Sequence, residues 1–320
     1  MKEIQIEDLK DFKIGHAQDV DNATGCTVIL ALEGATAGVD VRGGGPATRE
    51  TDLLNPKNMV QKIHAVTLSG GSAFGLEASC GVMDYLSEHN IGFDMKDIII
   101  PIVCGASLFD CSVGNPKAYP HKEMGRLACE DAFSSQSVKE GNVGAGTGCS
   151  VGKFFGFEKA MKSGLGVAAY QIGDLQVGAI VAVNACGDIT FPNSKTPIAG
   201  MIDPEHKTRL DSEIALLEMA EQMMESCGMN TTIGCILTNA QLDKAQANKV
   251  ASMAHNAYAH CIHPVHTAND GDTIFTMASG KVPSNTDLVG ILAIKAMEQA
   301  IVNAGTKASS AYGLLAYQDL

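Results

Sequence analysis

Apolar runs suited to strands and runs with helical spacing alternate along this chain, and nothing interrupts them. Strands are expected at 26–32, 36–42, 98–104, 166–172, 175–184 and 231–238, and helices at 73–88, 121–133, 210–227, 240–260 and 287–303. Leu210, Ile214, Leu217 and Ala220 repeat at the helical interval, as do Leu288, Ile291, Ile294, Met297 and Ile301. Asn239 and Asp287 are candidate N-caps for the last two helices. No Pro- or Ser-rich linker and no internal repeat divides the 320 residues, so a single interleaved domain, 1–320, of layered α/β class is expected. Parallel sheets and stacked sheets both fit this pattern.

Hydrophobic residues make up 45% of the chain and charged residues 18%, a globular composition. A net charge of −13 argues against nucleic acid and anionic membrane as partners, since both need a basic footprint. The ten cysteines form no CxxC pair, and Cys80, Cys104, Cys235 and Cys261 sit in apolar runs, which suits small core residues in a reducing compartment. The opening MKEIQIEDLKDFKIG lacks a signal-peptide core, and no run of about 18 apolar residues suggests a membrane span. A cytoplasmic protein is expected.

Glycine clusters at 43–45, 70–71, 141–152 and 271. Gly70 and Gly71 lead into an apolar helix and offer N–H groups for an anion or oxyanion, although close strand–helix packing explains them equally well. The segment GNVGAGTGCSVGK, 141–153, invites a nucleotide reading and fails it. No GxGxxG frame fits, and Phe154 stands where a Walker motif needs Ser or Thr. What remains is a loop around Gly144 and Gly146 lined with N–H donors and closed by Lys153, a candidate oxyanion or substrate loop. No cofactor is implied.

Two segments could carry chemistry. In MNTTIGCILTNAQL, 229–242, Thr231 heads a strand; a hydroxyl there is more often a cap or ladder residue than a nucleophile. In HTANDGDTIF, 266–275, Asp270 and Asp272 flank Gly271 ahead of an apolar run. Paired carboxylates in such a place drive their pKa values apart, while Asn-Asp-Gly is also ordinary turn chemistry. His255, His260, His263 and His266 lie close in sequence. A zinc site is disfavoured, because Pro264 interrupts HPVH and no HExxH occurs.

Taken together, VDVRGGG (39–45), LSGGSAFGLEASCGVMDYL (68–86), GNVGAGTGCSVGK (141–153), VGAIVAVNACGDI (177–189), NTTIGCILTNAQL (230–242) and HTANDGDTIF (266–275) resemble the DmpA-type aminopeptidase/amidase family, in the family's order. The likeness is greatest to its nylon-oligomer (6-aminohexanoate-oligomer) hydrolase branch. The resemblance implies a four-layer α/β/β/α sandwich and a precursor that cuts itself ahead of its nucleophile. Here the cut would fall between Asn230 and Thr231, giving a large fragment 1–230 and a small fragment 231–320 that stay associated. Carried over position by position, Thr231 matches the nucleophile, Lys153 a lysine beside it, Asn184 the oxyanion-side asparagine, and Asp270 and Asp272 the paired polar residues behind it. Phe109 stands where the family has an active-site tyrosine. The resemblance further implies a peptide or oligoamide substrate and a homo-oligomer, a tetramer or larger, of the two-part unit. Two other readings stay open. One is acyl transfer of the ornithine acetyltransferase type, which shares a DGDT-like run. The other is a non-catalytic metal- or ligand-binding protein using the histidine cluster.

Overall fold

The computed structural model describes residues 1–218 and 230–320. Ten strands form the main sheet: β1 (Lys2–Ile4), β2 (Lys13–Asp19), β3 (Thr24–Val41), β4 (Ala47–Arg49), β5 (Ile63–Ser69), β6 (Val103–Ser107), β7 (Leu165–Ile172), β8 (Leu175–Asn184), β9 (Thr231–Gln241) and β10 (Thr273–Pro283). Among the described residues the longer helices are α1 (Ala78–Glu88), α2 (Lys122–Ser134), α3 (Ser212–Glu218), α4 (Lys244–Cys261) and α5 (Thr286–Thr306). The expected strands at 26–32 and 36–42 are one strand, β3. Its register shifts between Leu30 and Ala35, around Gly34 at φ +71°. The expected strand at 98–104 is broken by Pro101 into Ile99–Ile100 and β6. The expected helix at 73–88 is a single turn, Ser72–Gly75, followed by α1. Of the expected helix at 210–227, the described part is α3, and the remainder lies outside the described residues.

The bend in β3 organises the molecule. The strand order is β1-β7-β8-β9-β10-β3-β5-β6-β4, with β2 pairing the first half of β3. Residues before the bend pair with β2 and β5; just after it Ala35 still pairs with Ile63 of β5, and Thr36 to Val41 pair with β10. The two halves of the sheet therefore fold over one another. Ile29, Ala37, Val66, Leu68, Cys104, Ile180, Ile233, Cys235, Phe275 and Met277 interdigitate between them. Alternate residues face outward. Val177, Val181, Ile236 and Ile274 pack on α4 and α5, while Cys26, Val28, Leu30 and Val103 pack on α1 and α2. The layers are thus helix, sheet, sheet, helix, as the resemblance implies. Each fully buried Val, Leu or Ile contributes roughly 1.5–3 kcal/mol. Strands covered on both faces read as unbroken apolar runs, which is why β8 shows no alternation.

The helix starts are set by local chemistry at positions other than those expected. Asp243, not Asn239, caps α4, in a reciprocal capping box with Gln246. Asn285, not Asp287, caps α5 by accepting from the N–H groups of Asp287 and Leu288. By length and composition α5 could cross a membrane, but 67% of its apolar window is buried inside the fold. It is a core helix.

Candidate active site

β9 and β10 run parallel, with Ile233 opposite Thr273. Their first residues therefore meet at one edge of the sheet. β8 runs antiparallel to β9 and ends there too, with Asn184 opposite Thr231. An isolated parallel bridge joins Asn230 to Asp270: the Asn230 N–H donates to the Asn269 carbonyl (3.0 Å) and the Gly271 N–H to the Asn230 carbonyl (2.8 Å). Thr231 is 4% exposed, and its hydroxyl donates to the carbonyl oxygen of Asn230. Beside it stands Gly271, where a Cβ would lie 2.7 Å from Thr231 Oγ1.

The loop carrying the two acids is seated on the first glycine cluster. The Arg42 N–H donates to the Asp272 carbonyl (2.9 Å) and the Gly45 N–H to that of Asp270 (2.8 Å). A Cβ at Gly43 would lie 2.1 Å from the Asp270 carbonyl oxygen, and one at Gly44 2.4 Å from that of Ala268. Only glycine allows this approach.

The two carboxylates, each 1% exposed, are differently placed. Asp272 Oδ1 accepts the Thr232 N–H (2.8 Å), and its Oδ2 accepts from the backbone N–H (3.0 Å) and the Nδ1 (2.8 Å) of His266. Asp270 Oδ2 accepts the Thr267 N–H (2.7 Å), whereas its Oδ1 is buried without a hydrogen-bond partner. Burial, and then the charge of Asp272, push the Asp270 carboxyl above its ordinary range, against the opposing pull of the Thr267 N–H and the Lys153 charge.

Across the edge, Lys153 Nζ donates to both the backbone carbonyl (3.0 Å) and the Oδ1 (2.9 Å) of Asn184. Burial lowers its pKa to about 8, opposed by nearby thiols and by Asp270 and Asp110. Asn184 Oδ1 also accepts the Ser150 N–H (3.1 Å), and its Nδ2 donates to the Phe109 carbonyl (2.7 Å). Phe109 thus reaches the site through its backbone. A second lysine, Lys162, is wholly buried and donates to the carbonyls of Gly146 (3.2 Å) and Cys149 (3.0 Å), clamping the glycine-rich loop; burial lowers its pKa to about 8 as well.

Thr231, Lys153, Asn184, Asp270 and Asp272 therefore gather at one strand edge. The expected oxyanion glycines do not offer their donors there. The Gly70 N–H goes to the Gly25 carbonyl and the Gly71 N–H to Asp110 Oδ1, while the Gly144 N–H goes to Gln18 Oε1 and the Gly146 N–H to the Val143 carbonyl. With those N–H groups consumed inside the fold, these glycines serve close packing. The four histidines do not form one ligand set either: His255 and His266 meet edge-on at 4.9 Å, but each ring is bonded to a different partner. His255 Nε2 faces the Asp40 carbonyl, His260 pairs with Glu298, and His266 pairs with Asp272. Among the described residues, no three His, Cys, Asp or Glu side chains are grouped to hold a metal ion. His260 and His263 line a separate cavity of about 440 Å³, bordered by Asp188, Arg209 and Asp211; none of the five site residues lines it.

Two residues at the site escape a reading of the sequence. His266 was legible only as part of a histidine cluster. Asp110 follows Phe109 and is held by Gly71 N–H and the Thr24 hydroxyl; burial raises its pKa to about 6, opposed by those hydrogen bonds and by the Lys153 charge. An acid inside the apolar run CGASLFDC is the signal that could have marked it.

The model of peptidase family S58 matches residues 5–316. The chain belongs to peptidase family S58. It is accordingly a hydrolase of the DmpA type. An uncharacterised aminopeptidase of Mycobacterium leprae is 39% identical over 292 residues, covering 87% of this chain and 79% of that one. A 6-aminohexanoate-oligomer endohydrolase of Paenarthrobacter ureafaciens is 31% identical over 318 residues, covering 93% and 85%. Both branches are relatives, and overall identity is greater to the mycobacterial protein. Among solved structures, an L-aminopeptidase D-Ala-esterase/amidase from Ochrobactrum anthropi, described as a variant of the Ntn-hydrolase fold, superposes with a TM-score of 0.72 at 18% identity, covering 98% of this chain and 90% of that one. That likeness fixes the architecture.

Proposed function

We propose that this S58 chain cuts its own backbone between Asn230 and Thr231 and then uses Thr231 as an N-terminal nucleophile to hydrolyse amide bonds of short peptides. The observation that carries the reading is the seat of Thr231. It stands at the meeting point of three strand ends, its hydroxyl against the Asn230 carbonyl, between Lys153–Asn184 on one side and Asp270–Asp272 on the other.

In the uncut chain the Thr231 hydroxyl attacks the Asn230 carbonyl carbon. The C–N bond breaks as the acyl group passes to oxygen, and water hydrolyses the resulting ester. A hydroxyl is a weak nucleophile and needs a base near it. We assign that role to the network of Asp270, Asp272 and Lys153, in which Asp270 Oδ1 is buried without a hydrogen-bond partner. The freed α-amine of Thr231, ordinarily of pKa about 7.7–8.0, then serves as base in turnover. Asn184 Nδ2 donates one N–H to the Phe109 carbonyl; its second N–H would serve the tetrahedral oxygen, an interaction worth about 2.7–4 kcal/mol where such donors have been removed. Fragment 231–320 supplies the central strands β9 and β10, sandwiched between β8 and β3 of fragment 1–230, so the two pieces would stay joined.

The aminopeptidase name of the mycobacterial relatives favours peptides as substrate, with oligoamides the wider range suggested by the endohydrolases. We place the protein in a reducing compartment, the cytoplasm, on its free thiols, and expect oligomers of the two-part unit. Denaturing mass spectrometry tests the reading. Wild-type protein should yield fragments 1–230 and 231–320, and Thr231→Ala one uncut, inactive chain. Two fragments from Thr231→Ala would refute it.

A further inference from the structure

We infer that His266 is a positioning residue that acts on the nucleophile through Asp272. This rests on Thr231 being the nucleophile. His266 spends two donors, its backbone N–H (3.0 Å) and Nδ1 (2.8 Å), on one oxygen, Asp272 Oδ2. The other oxygen holds the Thr232 N–H (2.8 Å), the amide directly after Thr231. An sp² carboxylate oxygen takes about two donors, so Oδ2 is filled and the carboxylate plane is set by the imidazole. The ring is itself walled in. Tyr258 stacks on it at 6.0 Å between centroids, and His255 meets it edge-on at 4.9 Å. Both belong to α4 and are wholly buried. Placement therefore passes from α4 to the His266 ring, to the Asp272 carboxylate, to the first peptide of β9. His266 also holds a left-handed backbone, φ +59°, a conformation that asparagine accepts better than most side chains.

A reacting group displaced by about 1 Å loses about a hundredfold in rate. His266→Leu removes the Nδ1 donor and loosens the carboxylate; we expect about a hundredfold lower kcat, a similar slowing of self-cleavage, and KM within a few-fold of wild type. His266→Asn keeps an N–H donor close to the Nδ1 position and suits the backbone, so both rates should stay within about tenfold of wild type. In an Asp272→Ala background, His266→Leu should cost nothing further, because the histidine acts only through that carboxylate. A purely structural histidine would show no rescue by asparagine and a full additional loss in that background; either result overturns the assignment. Wild-type rates in His266→Leu overturn it as well. Should the leucine variant not fold, His266→Asn decides alone: rates within about tenfold uphold the role, and a hundredfold loss ends it. The Thr231→Ala control separates the two ideas. If that variant still cuts itself, the nucleophile assignment falls; if it does not, and His266→Leu cuts at the normal rate, only the role of His266 falls.

Discussion

Gly271→Ala should move the nucleophile without unfolding the protein. A Cβ there would lie 2.7 Å from Thr231 Oγ1, 3.2 Å from Thr231 Cγ2 and 3.0 Å from the Gly45 carbonyl oxygen. Comfortable contacts begin at roughly 3.5 Å, so the hydroxyl must retreat by roughly 0.8 Å. Gly271 is not among the positive-φ glycines, so alanine fits the backbone, and the Gly271 N–H bond to Asn230 is kept. The Thr231 side chain is the party that yields. An off-rotamer χ costs about 0.5–1.5 kcal/mol, and overpacking as a whole about 1–3 kcal/mol. For a chain of this size that is a fall in Tm of a few degrees. The kinetic effect is larger in kind: a displacement near 1 Å costs about a hundredfold, or about 2.7 kcal/mol of barrier. The assay is a time course of self-cleavage on denaturing gels, with intact mass to locate the cut, beside a thermal melt and a peptide-amide hydrolysis rate. Gly45→Ala is the matched comparison. Its Cβ would meet only the Asp270 carbonyl oxygen, at 3.9 Å, so it should slow cleavage far less. If Gly271→Ala matured at the wild-type rate with Thr231 as the new N-terminus, the placement of the hydroxyl would not govern the reaction, and the proposed chemistry would fail.

Asn184→Ala should lower kcat more than it raises KM, because it deletes the proposed oxyanion donor; an unchanged kcat would exclude that role. The same change strips an acceptor from Lys153 Nζ and from the Ser150 N–H, so urea denaturation should show roughly 1–3 kcal/mol less stability. Lys162, whose folded pKa of about 8 lies below its ordinary 10.5, makes stability depend on pH. The unfolded chain binds the extra proton between those values, so stability is penalised below about 8 and rises with pH above it. Buried thiols such as Cys149, pushed up to about 12 from 9.0, act oppositely at higher pH, which confines the test to a window near pH 8–9. Denaturation midpoints across that window should climb less in Lys162→Met than in wild type, and identical slopes would contradict the burial argument.

Much of the molecule is legible along the chain. The helix periodicity at 288–301 and the runs that became β7, β8 and β9 follow from side chains acting on their own backbone within a few residues, whereas the exact caps, Asp243 in place of Asn239 and Asn285 in place of Asp287, emerge only in the folded chain. The motifs around Thr231, Asp270 and Asp272 are likewise local and visible. Other features depend on contacts between distant segments. That β3 is one bent strand serving both halves of the sheet, that Asn184 pairs with Thr231, and that Asn230 bridges to Asp270 are matters of sheet register, which local composition does not encode. The glycines show the same division. The sequence displays Gly70, Gly71, Gly144 and Gly146 as a supply of N–H donors, and only the folded chain reveals that Gly25, Asp110, Gln18 and Val143 already accept them. His266 passes from member of a histidine cluster to partner of Asp272 for the same reason. A hydrogen-bonding group's role is decided by which distant atom satisfies it once water is excluded, and that is settled by tertiary packing alone.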